Sequence, residues 1–185
     1  MKLPFSGKSH IRVIKEIARG MHEAGFLNRY LEIGIRRGNC FNLIAPFAKE
    51  AYAVDVKNYY KSVKHNKNLV WFHGDSQEFL KQHNQKRKFD LVFIDGNHKF
   101  QAVLDDFRGV FPMVNNNGII LLHDTYPPSE KFTSPQFCND CYRAADWIRK
   151  NDGRYGEQCE IVTLPFYYGI SIIRKLDRQL LWLRR

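Results

Sequence analysis

Two short apolar runs end in carboxylates. Phe89-Asp90-Leu91-Val92-Phe93-Ile94-Asp95-Gly96-Asn97-His98 delivers Asp95, and Gly118-Ile119-Ile120-Leu121-Leu122-His123-Asp124-Thr125 delivers Asp124. If both runs are strands of one parallel sheet, the two acids reach the same rim. Adjacent carboxylates repel unless a proton or cation lies between them, so Asp95 and Asp124 read as oxygen ligands for a hard divalent ion such as Mg²⁺. Capping of the next helix by either acid is the plainer alternative. His98 and His123 flank the pair. Each could act as a general base near neutral pH, or simply hydrogen-bond a loop carbonyl.

Upstream runs end in polar residues of another kind. Leu31-Glu32-Ile33-Gly34-Ile35-Arg36-Arg37-Gly38 reads E-x-G-x-x-x-G. Gly34 allows a tight turn, and Gly38 allows close approach of a ligand or of the next helix. The dinucleotide pattern G-x-G-x-x-G is not met, because Arg36 occupies its second glycine. Ala53-Val54-Asp55 places an acid 21 residues after Gly34, where a carboxylate can accept both hydroxyls of a ribose. In His73-Gly74-Asp75-Ser76, Asp75 either caps a helix or accepts from an adenine amino group. Together these residues point to an adenosine-containing ligand.

The elements that must hold these residues alternate. Strand candidates are Tyr30–Ile33, Ala51–Asp55, Val70–His73, Leu91–Ile94, Ile119–Leu122, Glu160–Leu164 and Gly169–Ile173. Helical patterns cover about His10–Ala24, Asn39–Lys49, Tyr59–Asn66, Gln77–Gln85, Phe100–Val114 and Tyr142–Lys150, with Gly25 a C-cap of the first. Alternation predicts an α/β fold, a mostly parallel sheet with helices on both faces, because parallel strands need right-handed crossovers. Only Pro165-Phe166-Tyr167-Tyr168 separates the last two strands, so the final strand is expected to run antiparallel. The irregular stretch Thr125–Phe137 follows the fifth strand and holds three of the seven prolines. A loop of that length at a strand's carboxyl end is expected to cover a substrate.

The chain of 185 residues suits one domain spanning 1–185, and its 44% hydrophobic and 14% aromatic content excludes intrinsic disorder. No apolar run is long enough for a bilayer, and Met1–Ser6 is too short and polar for a secretory signal, so a soluble cytoplasmic protein with no membrane partner is expected. Cys40, Cys138, Cys141 and Cys159 are expected as reduced thiols. The 29 basic and 19 acidic residues give a net charge of +10, which first suggests nucleic acid. The excess is amino-terminal. It includes Lys57, Lys61 and Lys64 on one expected helix face and Lys86-Arg87-Lys88 at another helix end, both read as solvated faces. Gly7-Lys8-Ser9 lacks the rest of a P-loop and reads as a helix start, with Ser9 as N-cap. Cys138-Asn139-Asp140-Cys141 has no second pair to complete a zinc site. The apolar-basic tail Leu176–Arg185 either covers the domain edge or meets a second subunit in a homo-oligomer.

Taken together, E-x-G-x-x-x-G, the Asp-ended second strand, G-D-S, F-D-L-V-F-I-D-G-N-H and G-I-I-L-L-H-D-T resemble class I S-adenosylmethionine-dependent methyltransferases. The similarity is greatest to the small-molecule O-methyltransferases of the macrocin O-methyltransferase and cephalosporin hydroxylase type. The resemblance implies a Rossmann-like seven-stranded sheet in the order 3-2-1-4-5-7-6, its last strand antiparallel. It implies that Glu32, Gly34 and Gly38 lie along the methionine moiety, that Asp55 binds the ribose, and that Asp75 and Ser76 meet the adenine. Asp95 would contribute to both cofactor and metal binding. Asp95, Asp124 and Thr125 would hold Mg²⁺, Thr125 standing where metal-dependent relatives carry Asn. Those relatives place a catalytic Lys where this chain has His98, which makes His98 the first choice of base and His123 the second.

The implied activity is methyl transfer to a hydroxyl of a small sugar-like or natural-product-like acceptor. A surface with 29 cations and, after five acids are assigned to the rim, 14 remaining anions could steer an anionic one. Two alternatives stay open: an RNA methyltransferase, and a non-catalytic adenosine-binding or partner-binding protein of the same fold.

Overall fold

A computed structural model describes residues 9–64, 67–83, 87–151 and 158–177. Seven strands form one sheet: β1 (Arg29–Ile33), β2 (Glu50–Asp55), β3 (Leu69–His73), β4 (Phe89–Ile94), β5 (Val114–His123), β6 (Cys159–Leu164) and β7 (Ile170–Lys175). Their order is β3-β2-β1-β4-β5-β7-β6. Strands β1 to β5 pair in parallel, while β7 runs antiparallel to both β5 and β6. The five-residue connection Pro165–Gly169 is the cause, since it has room for a hairpin and none for a crossover helix.

Among the described residues five α-helices cover the sheet: α1 (Ser9–Glu23), α2 (Phe41–Ile44), α3 (Ser76–His83), α4 (Phe100–Val110) and α5 (Tyr142–Lys150). Alternation along each strand decides which layer a side chain enters. On β1, Leu31 and Ile33 join the core formed with Phe79 of α3, Phe107 of α4 and Ile148 of α5. Tyr30 faces the other way, among Ile14 of α1 and Phe41 and Ile44 of α2. Among the described residues, no helix is long and apolar enough to cross a membrane.

Three helical expectations shorten. Asn39–Lys49 resolves into α2 and a 3₁₀ turn at Ala45–Phe47, and Phe100–Val114 ends as α4 followed by a 3₁₀ turn at Phe111–Met113. In both, a proline (Pro46, Pro112) removes the amide that the next α-helical turn needs. Of Tyr59–Asn66, residues 65 and 66 lie outside the described residues, and 59–64 hold a 3₁₀ turn at Tyr60–Ser62 and no α-helix. Lys57, Lys61 and Lys64 repel at helical spacing, and nearby polar side chains bind the backbone instead: Asn58 accepts from the Tyr60 amide at 3.2 Å, and Asn42 accepts from the Lys64 amide at 2.8 Å. Strand β5 starts five residues earlier than Ile119. Asn115–Gly118 bulges out of register against β4, with Asn117 in the left-handed region at φ 64° and Asn115 Nδ2 donating to Asp90 at 2.7 Å.

Gly25, at φ 76°, closes α1, and Phe26 N donates back to Met21 O at 2.8 Å. The four cysteines are free and buried. Gly7 and Lys8 of the expected helix start, Lys86 of the basic run and Arg178–Arg185 of the tail lie outside the described residues, as does the side chain of Ser9, the expected N-cap and the first residue of α1.

Candidate active site

The sheet order reverses at β1, with β2 on one side and β4 on the other. Crossovers leave in opposite directions there, so a crevice opens at the strands' carboxyl ends. A cleft of about 850 Å³ occupies that place, running from Asp55 and Asp75 past Gly34 and Gly96 to Asp95 and Asp124.

Gly34 sets the cleft's floor. Its φ is 92°, and a Cβ there would come within 2.3 Å of the Asp95 carbonyl oxygen and 2.6 Å of Gly96 Cα. Both neighbours are backbone and cannot give way. We therefore expect Gly34→Ala to cost at least about 3 kcal/mol, seen as a lowered denaturant midpoint; a midpoint unchanged from wild type would refute this close approach. Gly38, at φ 69°, is required by the Ser62 carbonyl, which a Cβ would meet at 2.8 Å. It is absent from the cleft wall, so the helix-and-loop alternative for Gly38 holds in place of a ligand contact.

Glu32 also lies off the cleft wall. Strand alternation turns it into the α1/α2 layer, where it is buried and accepts from the Tyr30 hydroxyl. Burial pushes its pKa up to about 8, the Tyr30 hydrogen bond offsetting only part of this, so Glu32 is largely protonated at neutral pH.

At the far end, Asp55 presents its carboxylate to the cleft. One oxygen accepts from Arg36 N at 2.9 Å and the other from Lys57 N at 2.8 Å, which leaves lone pairs on both for hydroxyls. Asp75 caps α3, accepting from Gln77 N at 2.8 Å, while Ser76 Oγ donates to Asp106 at 2.6 Å. Both line the cleft with part of their hydrogen-bonding capacity already committed. Asp106, from α4, takes a second bond from Gln77 Nε2 at 2.8 Å, and its pKa rises to about 6 because burial outweighs these donors. Its position could not be found from sequence, since only the packing of α4 on α3 brings it there.

At the other end, the pairing of Ile94 with Leu122 sets Asp95 beside His123. His123 Nδ1 lies 3.0 Å from Asp95 Oδ1 and 3.3 Å from Asp124 Oδ1, and Nε2 lies 3.1 Å from the Tyr167 carbonyl. A carbonyl and a carboxylate only accept, so both ring nitrogens carry protons. Burial opposes this charge, but Asp95 and Asp124 more than offset it and raise the pKa of His123 to about 9. That corrects the expectation of His123 as a base, because at neutral pH it has no lone pair to offer. Burial would raise Asp95 too, yet the His123 cation holds it below the usual carboxylate range. Asp124 is raised, its burial only partly offset by His123.

His98 differs. Its Nδ1 lies 2.7 Å from the Phe137 carbonyl and 3.2 Å from Asp124 Oδ2, both acceptors, so Nδ1 carries a proton, and Nε2 lies 3.8 Å from Asp95 Oδ1. Asp95, His98 and Asp124 form one group of candidate ligands. Thr125 is not in it. Its buried hydroxyl accepts from Ser171 Oγ at 2.9 Å, in a chain continuing to Thr163, because β5 has passed the rim and turned toward β7. The Thr125 hydroxyl is thus committed to Ser171, while His98 stands beside Asp95 and Asp124.

Two aromatic groups, His10 and Tyr167, entered without a functional signal in the sequence. His10, at the start of α1, stacks on His123 with centroids 4.1 Å apart, and Tyr167 stacks on His10 at 5.1 Å. Cys141 Sγ donates to the Asp124 carbonyl at 3.2 Å, and Cys138 donates to the Asp124 carboxylate. The Thr125–Phe137 stretch brings Pro135, Gln136 and Phe137 to the cleft wall.

The family model described as "Methyltransferase domain" matches residues 31–125, just over half the chain and the whole of this rim from β1 to the end of β5. The chain belongs to this methyltransferase family. An uncharacterized protein of Acanthamoeba polyphaga mimivirus is 23% identical over 131 residues, and the methyltransferase spans 58% of that relative's length. Among solved structures, the O-methyltransferase TomG from Streptomyces achromogenes, in complex with SAM, superposes on 95% of this chain and 82% of its own (TM-score 0.71, 13% identity). MycE from the mycinamycin biosynthetic pathway, in complex with Mg, SAH and mycinamycin VI, matches 88% of this chain and 49% of its own (TM-score 0.62, 20% identity). At such identities these two establish a shared fold with the methyltransferase.

Proposed function

We propose that this methyltransferase moves a methyl group from S-adenosylmethionine to a hydroxyl of a small molecule. The observation that carries the reading is the division of labour along one cleft. Asp55 offers a fixed, doubly held carboxylate at one end, and Asp95, His98 and Asp124 converge at the other. A volume of about 850 Å³ lies within the roughly 300–1,000 Å³ of small-molecule sites and leaves room for an acceptor.

S-adenosylmethionine, when bound, supplies a methyl on a sulfonium sulfur that keeps the bonding pair as the methyl passes to oxygen. The chain's own residues orient and deprotonate. Asp55 fixes the ribose hydroxyls, and the Asp75–Ser76 turn with Asp106 faces the adenine. The acceptor's hydroxyl lies at the Asp95–His98–Asp124 group, whose lone pairs receive its proton, while Phe137, Tyr167 and Tyr168 wall the acceptor from water.

Calorimetry with S-adenosylmethionine and S-adenosylhomocysteine tests this reading, and absence of binding to either would overturn it. Asp55→Asn is expected to weaken S-adenosylhomocysteine roughly ten- to hundredfold, the loss of charge-assisted hydrogen bonds to the ribose. An unchanged dissociation constant would remove Asp55 from the cofactor site.

A further inference from the structure

Three electron-pair donors meet at the carboxyl ends of β4 and β5: an oxygen each from Asp95 and Asp124 and a ring nitrogen of His98, all within 4.8 Å of one another. We propose that these three bind one transition-metal dication of the Fe²⁺, Co²⁺ or Zn²⁺ class in preference to Mg²⁺, with His98 Nε2 as the selecting ligand. The inference rests on the methyltransferase reading for its location only, since nothing in it requires the cofactor to be bound.

The geometry suits a single ion. Two ligands each about 2.1 Å from one metal stand roughly 3–4 Å apart, and His98 Nε2 lies 3.8 Å from Asp95 Oδ1. Asp124 supplies the independent sign of a missing partner. It is 4% exposed, and its Oδ1 has no hydrogen-bond partner although His123 Nδ1 stands 3.3 Å away. A buried carboxylate oxygen left so is costly unless something else coordinates it.

Each donor is also held from behind, as metal ligands are. The Phe137 carbonyl accepts from His98 Nδ1, which leaves Nε2 as the ring nitrogen beside Asp95 Oδ1, at 3.8 Å. His123 holds Asp95 at 3.0 Å, and the Cys138 thiol donates to Asp124.

The donor set decides the metal. Mg²⁺ favours an all-oxygen octahedron, whereas imidazole favours later first-row dications. Thr125, the oxygen that would have completed a harder set, is turned away to Ser171. With Nε2 engaged as a ligand, an acceptor hydroxyl would be acidified by coordination, and its proton would leave to solvent or to a carboxylate.

The test uses the full-length chain stripped with a chelator and titrated separately with Co²⁺ and Mg²⁺, followed by calorimetry and, for Co²⁺, by visible absorption. One Co²⁺ per chain is expected, bound at least about tenfold tighter than Mg²⁺. His98→Ala should abolish that preference, and His98→Gln, which offers an oxygen at similar reach, should bring the two affinities together. Mg²⁺ binding as tight as Co²⁺, a Co²⁺ preference that survives both substitutions, or no Co²⁺ binding would each overturn the proposal. S-adenosylhomocysteine affinity measured on the same samples separates the two readings: its loss would count against the methyltransferase activity and leave the metal result standing.

Discussion

Asp124→Asn is expected to lower methyl transfer at least about a hundredfold while changing the dissociation constant of S-adenosylhomocysteine by less than about twofold. The substitution isolates charge from shape. Asp124 sits in the left-handed region at φ 57°, and Asn tolerates that conformation better than other non-glycine residues. The backbone carbonyl that accepts from Cys141 is unchanged. What disappears is an anion facing His123 and His98 at 3.3 and 3.2 Å. In the proposed reading the cofactor's adenosine end would rest on Asp55, Asp75 and Asp106, which are carried by other elements and whose hydrogen bonds run to Arg36, Lys57, Ser76 and Gln77 rather than to Asp124. Radiolabelled methyl transfer and calorimetry on one preparation check both halves. Undiminished turnover would remove Asp124 from the reaction, and a large loss of cofactor affinity would show that the two ends of the cleft are not independent.

The strand ends were legible because strand endings are local. Ile94-Asp95 and Leu122-His123-Asp124 combine an apolar run with a following turn, and a parallel sheet sends both to one rim wherever they pair. The antiparallel β7 was legible for the same reason, since the few intervening residues exclude a crossover. What distance in sequence hides is which groups then satisfy those ends. The protonation of His123 depends on the Tyr167 carbonyl 44 residues away, and the Nδ1 proton of His98 on the Phe137 carbonyl 39 residues away. The family resemblance implies Thr125 as a ligand, but the hydroxyl of Ser171, on β7, draws it off. Cys138-Asn139-Asp140-Cys141 invites zinc or redox chemistry on paper; packed under β5, both thiols serve as donors to a single aspartate.

Glu32→Gln is expected to stabilise the protein in alkali and to flatten its stability between about pH 5 and 8. Glu32 titrates near 8 in the folded protein and near 4.5 when unfolded. Within that window the folded state holds a proton that the unfolded chain has released. Stability therefore falls as pH rises, by up to about 1.4 kcal/mol per pH unit. His123, with its pKa raised to about 9, adds stability that is fully present below its unfolded value near 6.5 and is lost as pH climbs through 9. The two slopes act in the same direction, so the wild-type melting temperature should decline steadily from neutral to alkaline pH. Glutamine keeps the polar contact with Tyr30 and cannot ionise. It should remove the Glu32 share alone and leave a protein on the order of 3 kcal/mol more stable than wild type at pH 8.5. Thermal unfolding with a chelator present, so that the neighbouring carboxylates stay metal-free, checks this across pH 5 to 9. A variant whose melting temperature falls as steeply as the wild type's would mean that Glu32 ionises at no cost in the folded state. Its turn into the α1/α2 layer would then have to be abandoned.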